Sequence, residues 1–362
     1  VRKAASSTVN EVATASRTIY ALTIEKIVDE TKDARSLSFS MPPEARAAFT
    51  YRPGQFLTLR VPSVETGSVA RCYSLSSSPY VDNSLAVTVK RTAGGYGSNW
   101  LCDNAIEGMQ LDVLPPSGVF TPKSLDRDVM LIAGGSGITP LISIAKSVLA
   151  AGTGNVVLFY ANRDAASVIF TDQLAQLISK YRGRLSICHW LESERGVPTA
   201  SLLATEFAAI ATDRDVFVCG PGPFKDASVV ALGALGFNKS LINLEIFSSL
   251  RGNPFNAEAV PDRPAPGSIA AVPAEVEIAG ETHNVHWTVD TPLLQCLIDR
   301  GIDAPFSCQE GECGTCLATI SHGKVRMLTN FVLDEQDIAS GSILACQALP
   351  DGEGLIRVSF DE

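Results

Sequence analysis

The sequence contains no run approaching the ~20 consecutive apolar residues that a membrane-spanning helix requires, so no membrane span is expected. It has no excess of positive charge: 29 Lys and Arg stand against 39 Asp and Glu, for a net charge of −10. Phosphate backbones attract the opposite sign, so nucleic acid is not an expected partner. The first 16 residues are small and polar and lack the apolar stretch of a secretory signal. Residues 1–17 are therefore read as a frayed tail of a cytoplasmic protein, in which nine cysteines do not imply disulfides. What is present is globular: 46 % of residues are apolar and 19 % charged, which excludes a disordered chain. A length of 362 residues exceeds one ordinary core and predicts two or three domains.

The charge is unevenly spread. Residues 1–272 carry 25 Lys and Arg against 24 Asp and Glu, whereas residues 273–362 carry 4 against 15. All the excess negative charge thus sits on the last quarter of the chain. An acidic module on a neutral body is suited to electrostatic docking on a basic protein face, although acidity also serves solubility alone.

Residues 18–125 read as β: short apolar or alternating runs at 21–28, 36–40, 56–61, 85–90 and 110–114 are separated by Pro and Gly. Many short strands at this spacing predict an antiparallel β-barrel. From 126 to 250 the pattern changes to continuous apolar runs at 129–133, 155–160, 185–191, 215–219 and 242–247, alternating with helix-like stretches. That alternation predicts a doubly wound α/β domain. Residues 251–272, rich in Pro, Ala, Gly and Asn, read as a linker. Residues 273–362 begin with two strand-like runs and a helix, the pattern of a β-grasp module.

Four cysteines of this last module carry the clearest chemistry. Cys308, Cys313 and Cys316 are separated by four and two residues, and Cys346 follows after 29 more. Three thiolates in one tight loop and a fourth from a distant segment form the plant-type arrangement for a [2Fe–2S] cluster. Gly311 and Gly314 let the loop backbone approach the sulfides. A zinc site would want two close Cys or His pairs, and no histidine lies within the loop.

In the barrel region, Arg71-Cys72-Tyr73-Ser74 ends a strand-like run. Arg71 offers a fixed fork for a phosphate, Tyr73 a ring to lie against an isoalloxazine, and Ser74 a hydroxyl for its N5 edge. An amphipathic edge strand would also explain four such residues. Further on, Gly94-Gly95-Tyr96-Gly97-Ser98 reads as a glycine turn opening a helix, a ready anion site. In the α/β region, Gly134-Gly135-Ser136-Gly137-Ile138-Thr139-Pro140 joins a buried strand to a helix. Its glycines allow a pyrophosphate to approach, although the spacing is not that of the usual dinucleotide fingerprint. Cys219-Gly220-Pro221-Gly222 ends a later strand, at the sheet edge where ligands bind. Cys219 is read as shaping a hydride path, against the alternative of a small buried thiol. Asn162-Arg163 ends the second strand, where an adenosine ribose would sit, and Arg163 is either a 2′-phosphate receptor or a solvated loop residue. Phe247 either covers a flavin face or packs in the core.

The order of these motifs resembles the ferredoxin–NADP reductase superfamily, in particular the reductases that serve bacterial oxygenases. The resemblance covers residues 18–360. The run Tyr73-Ser74-Leu75-Ser76-Ser77-Ser78-Pro79 with Gly97-Ser98-Asn99-Trp100-Leu101 is more similar to the FAD-binding branch than to the FMN-dependent one. Longer stretches, among them Tyr160-Ala161-Asn162-Arg163-Asp164, His189-Trp190-Leu191-Glu192-Ser193 and Asp303-Ala304-Pro305-Phe306-Ser307-Cys308, resemble the reductases of steroid-degrading oxygenases within it. The general form Glu312-Cys313-Gly314-Thr315-Cys316 does not by itself single out that branch. The resemblance implies an enzyme with NADH as donor, FAD and [2Fe–2S] as carriers, and a separate Rieske oxygenase docking on the acidic ferredoxin module. The expected cofactor contacts are Arg71, Tyr73, Ser74, Thr88, Val89, Lys90, Gly95, Gly97 and Ser98 for the flavin. Gly135, Gly137, Thr139 and Gly220 are expected on the nicotinamide side, Phe247 as a further cofactor contact, Ser74 and Cys219 as catalytic residues, and Cys308, Cys313, Cys316 and Cys346 as cluster ligands. A reductase for another Rieske or diiron oxygenase, a stand-alone flavin or ferric reductase, and a non-enzymatic redox sensor are the competing readings.

Overall fold

The computed structural model describes residues 19–245, 247, 254–255, 271–306, 309–311 and 314–361. The expected tail, most of the expected linker, and the expected ligands Cys308 and Cys313 lie outside the described residues.

Residues with alternating burial build the first sheet, of β1 (Tyr20–Thr31), β2 (Ala34–Ser40), β3 (Phe56–Ser63), β4 (Gly67–Ser74), β5 (Leu85–Lys90) and β6 (Gln110–Ser117). All pairings are antiparallel, in the order β4-β3-β6-β1-β2-β5. Beyond β4, Leu75 bridges to Val87 of β5, and the Ser76 amide donates to Ala86 O at 2.8 Å. The two outer strands therefore meet and the sheet closes into a barrel, which removes its open edges. Leu22, Ile24, Leu37, Phe39, Leu57, Leu59, Val87 and Val89 fill its core. Helix α1 (Tyr96–Asn104) adds Leu101 and Cys102 to that core.

The second unit alternates strand and helix: β7 (Val129–Gly134), α2 (Ile138–Ala151), β8 (Val156–Asn162), α3 (Thr171–Lys180), β9 (Leu185–Leu191), α4 (Glu192–Arg195), α5 (Ala200–Phe207), β10 (Asp215–Cys219), α6 (Gly222–Ala234) and β11 (Ile242–Glu245). The strands are parallel in the order β11-β10-β7-β8-β9. The central β7 and β10 are buried at every position, which explains their unbroken apolar runs. Strand order reverses between β7 and β10, so the connections leave on opposite sides and a crevice opens at their C-terminal ends.

The third unit contains β12 (Ala271–Ile278), β13 (Glu281–Thr288), α7 (Leu293–Ile298), β14 (Leu317–His322), β15 (Val325–Met327), α8 (Glu335–Ala339), β16 (Ser342–Leu344), β17 (Ala348–Pro350) and β18 (Ile356–Ser359). A five-stranded sheet in the order β13-β12-β18-β14-β16 is joined by the small pair β15-β17. Only β12 and β18 pair in parallel. Trp287 anchors the core, fully buried with its Nε1–H donating to Thr291 O at 2.8 Å.

Helix α2 locks the first two units together. It is apolar on most of its surface because it is covered on two sides. Leu141, Ile144, Ala145 and Val148 join the core beneath the parallel sheet. Ser143 Oγ donates to Ser77 O at 2.5 Å, Ser147 Oγ lies 2.8 Å from Ser78 Oγ, and Lys146 Nζ reaches Ser76 O at 3.2 Å and Asp82 Oδ2 at 3.1 Å. The serine run after β4 is thus the seam between barrel and α/β unit. Phe120 crosses the same seam, with its ring 5.2 Å from Phe217 in an edge-on contact.

Candidate functional site

On the barrel side, β4 carries Arg71, Tyr73 and Ser74. Strand alternation leaves Arg71 and Tyr73 half-buried and Ser74 buried, the latter in register with Phe56 of β3. Arg71 lies across the start of α1: a Cβ on Gly97 would stand 2.7 Å from Arg71 Cγ. Arg71 Nη1 also donates to Ala70 O at 2.7 Å, which aims the fork. An arginine side chain lying against Gly97, in the first turn of a nine-residue helix, fits a diphosphate. Burial pushes the Tyr73 hydroxyl well above its ordinary value, with Arg71 opposing, so the ring presents a neutral phenol. These features fit the FAD-binding assignment. Other expected contacts have structural partners. Ser98 Oγ accepts from the Thr92 amide at 3.1 Å and braces the turn that includes Gly95. The Thr88 hydroxyl is shared with Ser36 and Ser76 at 2.8 and 2.9 Å, and Val89 packs into the barrel core. Lys90 points out of the barrel toward the α/β unit, its Nζ 3.6 Å from where a Gly135 Cβ would be.

On the α/β side, the turn after β7 and the turn after β10 touch backbone to backbone. A Cβ on Gly137 would lie 2.0 Å from Cys219 O, and one on Gly220 would lie 3.1 Å from Gly134 Cα. Gly135 takes a φ of +53°, which favours glycine. The glycines expected from the sequence to admit a pyrophosphate thus also let the two strand ends close on each other. Thr139 is buried and donates to Ser136 O at 3.1 Å, holding the turn. Cys219 is fully buried, and burial pushes its thiol well up, so it is a neutral thiol. It pairs in register with Glu245 on β11, whose carboxyl burial pushes up to about 8 while Lys225 opposes. Phe247 is 52 % exposed, so it is not a core residue.

In the third unit the structure brings Cys316 and Cys346 together, from the turn just before β14 and from the segment after β16, both buried. The Cys346 amide donates toward Cys316 Sγ at 3.4 Å, and the Ala345 amide donates to Cys316 O at 2.9 Å. Gly311 and Gly314 have φ of +78° and +69°, as a loop that wraps a cluster needs. Gln347 binds the loop from behind: Nε2 donates to Gln309 O at 2.8 Å, and Oε1 accepts from Thr329 Oγ1 at 2.8 Å. Two buried thiols with an amide aimed at sulfur fit two of the four ligands of an iron–sulfur cluster.

Three family models match the chain: an oxidoreductase FAD-binding domain over residues 21–121, an oxidoreductase NAD-binding domain over 131–229 and a 2Fe-2S iron-sulfur cluster binding domain over 276–351. Full-length relatives decide the family. The chain is 53 % identical to the ferredoxin reductase component of the 3-ketosteroid-9-alpha-monooxygenase of Rhodococcus rhodochrous, over 94 % of this chain and 96 % of that one. It belongs to the family of monooxygenase ferredoxin reductase components. The Mycolicibacterium smegmatis protein of the same description is 51 % identical over 95 % of this chain and 98 % of that one. The solved structure of phthalate dioxygenase reductase, described as a modular structure for electron transfer from pyridine nucleotides to [2Fe-2S], shares the fold. It has a TM-score of 0.57 at 22 % identity and covers 94 % of this chain and 98 % of that one. The chain is thus an oxidoreductase with FAD, NADH and [2Fe–2S] modules. Among the described residues no helix is long and apolar enough to cross a membrane.

Sequence reasoning missed two parts of this reductase site. One is the clamp of α2 on residues 76–78, because hydroxyl pairs across domains have no local signature. The other is the approach of the cluster loop to the barrel. A Cβ on Gly314 would lie 2.8 Å from Val119, two residues beyond β6, and one on Gly118 would lie 3.0 Å from Phe56, the register partner of Ser74.

Proposed function

We propose that this chain is the reductase component of a 3-ketosteroid 9α-hydroxylating system, taking a hydride from NADH and delivering electrons singly to a Rieske oxygenase. What carries the reading is the conjunction of full-length identity of 51–53 % with the reductase components of such systems and a nicotinamide crevice locked against the barrel by α2. Arg71 and the start of α1, with Gly95, Gly97 and Ser98, would hold the FAD diphosphate, Tyr73 would offer its ring to the isoalloxazine, and Ser74 would offer its hydroxyl to the N5 edge. Thr88, Val89 and Lys90 border this site, the first two through their backbone. FAD, when bound, supplies the conversion of a two-electron donor into one-electron steps. Gly135, Gly137 and Gly220 admit the NADH pyrophosphate and nicotinamide, Thr139 fixes the turn, Cys219 shapes the floor under nicotinamide C4, and Phe247 covers the flavin face. Cys308, Cys313, Cys316 and Cys346 hold the cluster, and the contact of Gly314 with Val119 supports a short route from the barrel to it.

The oxygenase docks on the acidic third unit. Support comes from Phe331, 57 % exposed, whose amide donates to Gly311 O in the cluster loop, and from Asp334, Glu335 and Asp337 just beyond it. An exposed ring with acidic residues three to six positions further along the chain suits a basic partner face. The cytoplasm is the proposed location, since NADH is made there and the cysteines stay reduced.

The test is oxygen-dependent 9α-hydroxylation of androst-4-ene-3,17-dione by an added steroid Rieske oxygenase, with this chain and NADH as the electron source. Product here, and little with a phthalate-type oxygenase on its own substrate, is the expected result. No product despite a fully reduced cluster refutes the named partner. Cys313→Ser should abolish the cluster while NADH-to-ferricyanide turnover persists; loss of both refutes the division of labour.

A further inference from the structure

Residues 251–272 read from the sequence as a linker, yet Phe255 within them is 5 % exposed and packs with Ala70 and Leu114 of the flavin barrel. Strand register builds the seat. Ala70, Cys72 and Ser74 alternate on one face of β4, and their partners on β3 are Arg60, Thr58 and Phe56. Thr58 pairs in turn with Leu114 of β6, so three strands share the face on which the ring sits. Arg60 closes the seat. Its guanidinium carbon lies 6.0 Å from the Phe255 ring centroid, while Nε donates to Ser68 Oγ at 3.1 Å and Nη1 meets Asp112 Oδ2 at 3.2 Å. The cation is thereby tied to β4 and β6 and held within reach of a cation–π contact.

The same face leads to the cluster unit. Phe56, next on that face of β3 after Thr58, meets Gly118, whose added Cβ would lie 3.0 Å from the Phe56 ring, and the following residue, Val119, is where the cluster loop touches the barrel through Gly314. The third unit begins with β12 at Ala271, 24 positions after Phe247 but only 16 after Phe255. We propose that Phe255 is a positioning residue for electron transfer from the flavin to the cluster: seated on the barrel, it fixes where the tether to the third unit starts and keeps the cluster loop at Val119. Burying a phenylalanine ring favours the seated state by roughly tenfold or more. The effective concentration of a tethered module falls about as the −3/2 power of tether length, so shortening the tether from 24 to 16 positions raises it about twofold. Orientation adds to this, because a tether that starts on the face leading to Val119 restricts the directions from which the loop can approach. Electrons come from NADH by way of the flavin and pass singly to the cluster, and Phe255 acts only on the second of these steps. This inference rests on the reading of the chain as an NADH-oxidising reductase.

Anaerobic stopped-flow mixing of the FAD- and cluster-loaded full chain with NADH follows flavin and cluster bleaching separately, and small-angle X-ray scattering of the same samples reads the spread of the units. In Phe255→Ala, cluster bleaching should slow by roughly threefold or more, while flavin bleaching keeps the parent rate and the radius of gyration increases. Phe255→Leu, which keeps an apolar plug, should bleach its cluster at close to the parent rate. Leu114→Ala opens the same seat from the barrel side, should act in the same sense as Phe255→Ala, and carries the test if that variant fails to hold FAD. A smaller slowing of the cluster step in Phe255→Ala overturns the inference. A slowed step with an unchanged radius of gyration, or an equal loss in flavin bleaching, overturns it as well. A parent chain whose flavin NADH does not bleach would instead overturn the reductase reading on which it stands.

Discussion

Replacing Gly137 by alanine sets two physical effects against each other. Gly137 sits at φ −61° and ψ −10°, an ordinary helical conformation at the head of α2. Backbone preference alone therefore predicts that Ala stabilises, by up to about 1 kcal/mol. The tertiary structure predicts the reverse. The new methyl would stand 2.0 Å from Cys219 O and 2.4 Å from Cys219 C, both backbone atoms of a buried strand end. No rotamer change relieves such a clash; the two turns must part by more than about 1 Å. Overpacking of this kind costs about 1–3 kcal/mol, which lowers the melting temperature of a unit this size by roughly 3–10 °C. Parting the turns also displaces the nicotinamide crevice, and misplacement on that scale costs roughly tenfold or more in kcat/KM for NADH. FAD content should not change, because Arg71 and α1 belong to the barrel. Thermal melts and NADH–ferricyanide kinetics of the loaded chain read both effects. Gly233→Ala is the control: it lies in α6 with no atom within 4 Å of the added methyl, and should melt at or slightly above the parent. A Gly137→Ala chain that melts no lower than the parent, with unaltered kcat/KM, refutes the reasoning.

Other outcomes follow from the same geometry. Arg71→Ala should weaken FAD by about 1.5–3 kcal/mol, and Gly97→Ala should act in the same direction by displacing Arg71; flavin retention on desalting checks both, and full retention in both removes the diphosphate assignment. Gln347→Ala strips the hydrogen bonds to Gln309 and Thr329 from behind the cluster loop and should cost about 1–3 kcal/mol, read as faster loss of cluster absorbance in denaturant. An unchanged loss rate would count against that bracing. Glu245 binds its proton more tightly folded than unfolded, since burial lifts it from 4.5 to about 8. Its contribution to stability is therefore complete below about pH 4.5 and fades as the pH rises through about 8. Glu245→Gln should flatten that part of the stability curve, and melting profiles of identical slope would refute the shift.

The sequence by itself determined the three-unit order, the chemistry of each unit and most of its strands. The runs at 85–90, 185–191 and 215–219 coincide with β5, β9 and β10. These are local properties: alternation marks a half-buried strand, an unbroken apolar run a central one, and a cysteine loop its cluster. Elements drifted where ends are set by partners, so β6 runs on to Ser117 through Pro115 and Pro116. Tertiary structure alone decided what each polar residue does. Ser76 and Ser77 meet α2 through their backbone carbonyls and Ser78 through its hydroxyl, and Thr88 serves a buried hydroxyl network. Arg163 reads from sequence as either a phosphate receptor or a solvated loop residue, and only the fold pairs it with Asp33, 130 positions away. A hydroxyl or a charge has no preferred partner encoded beside it in the chain; the fold selects one by bringing distant groups within about 3 Å, where hydrogen bonds form.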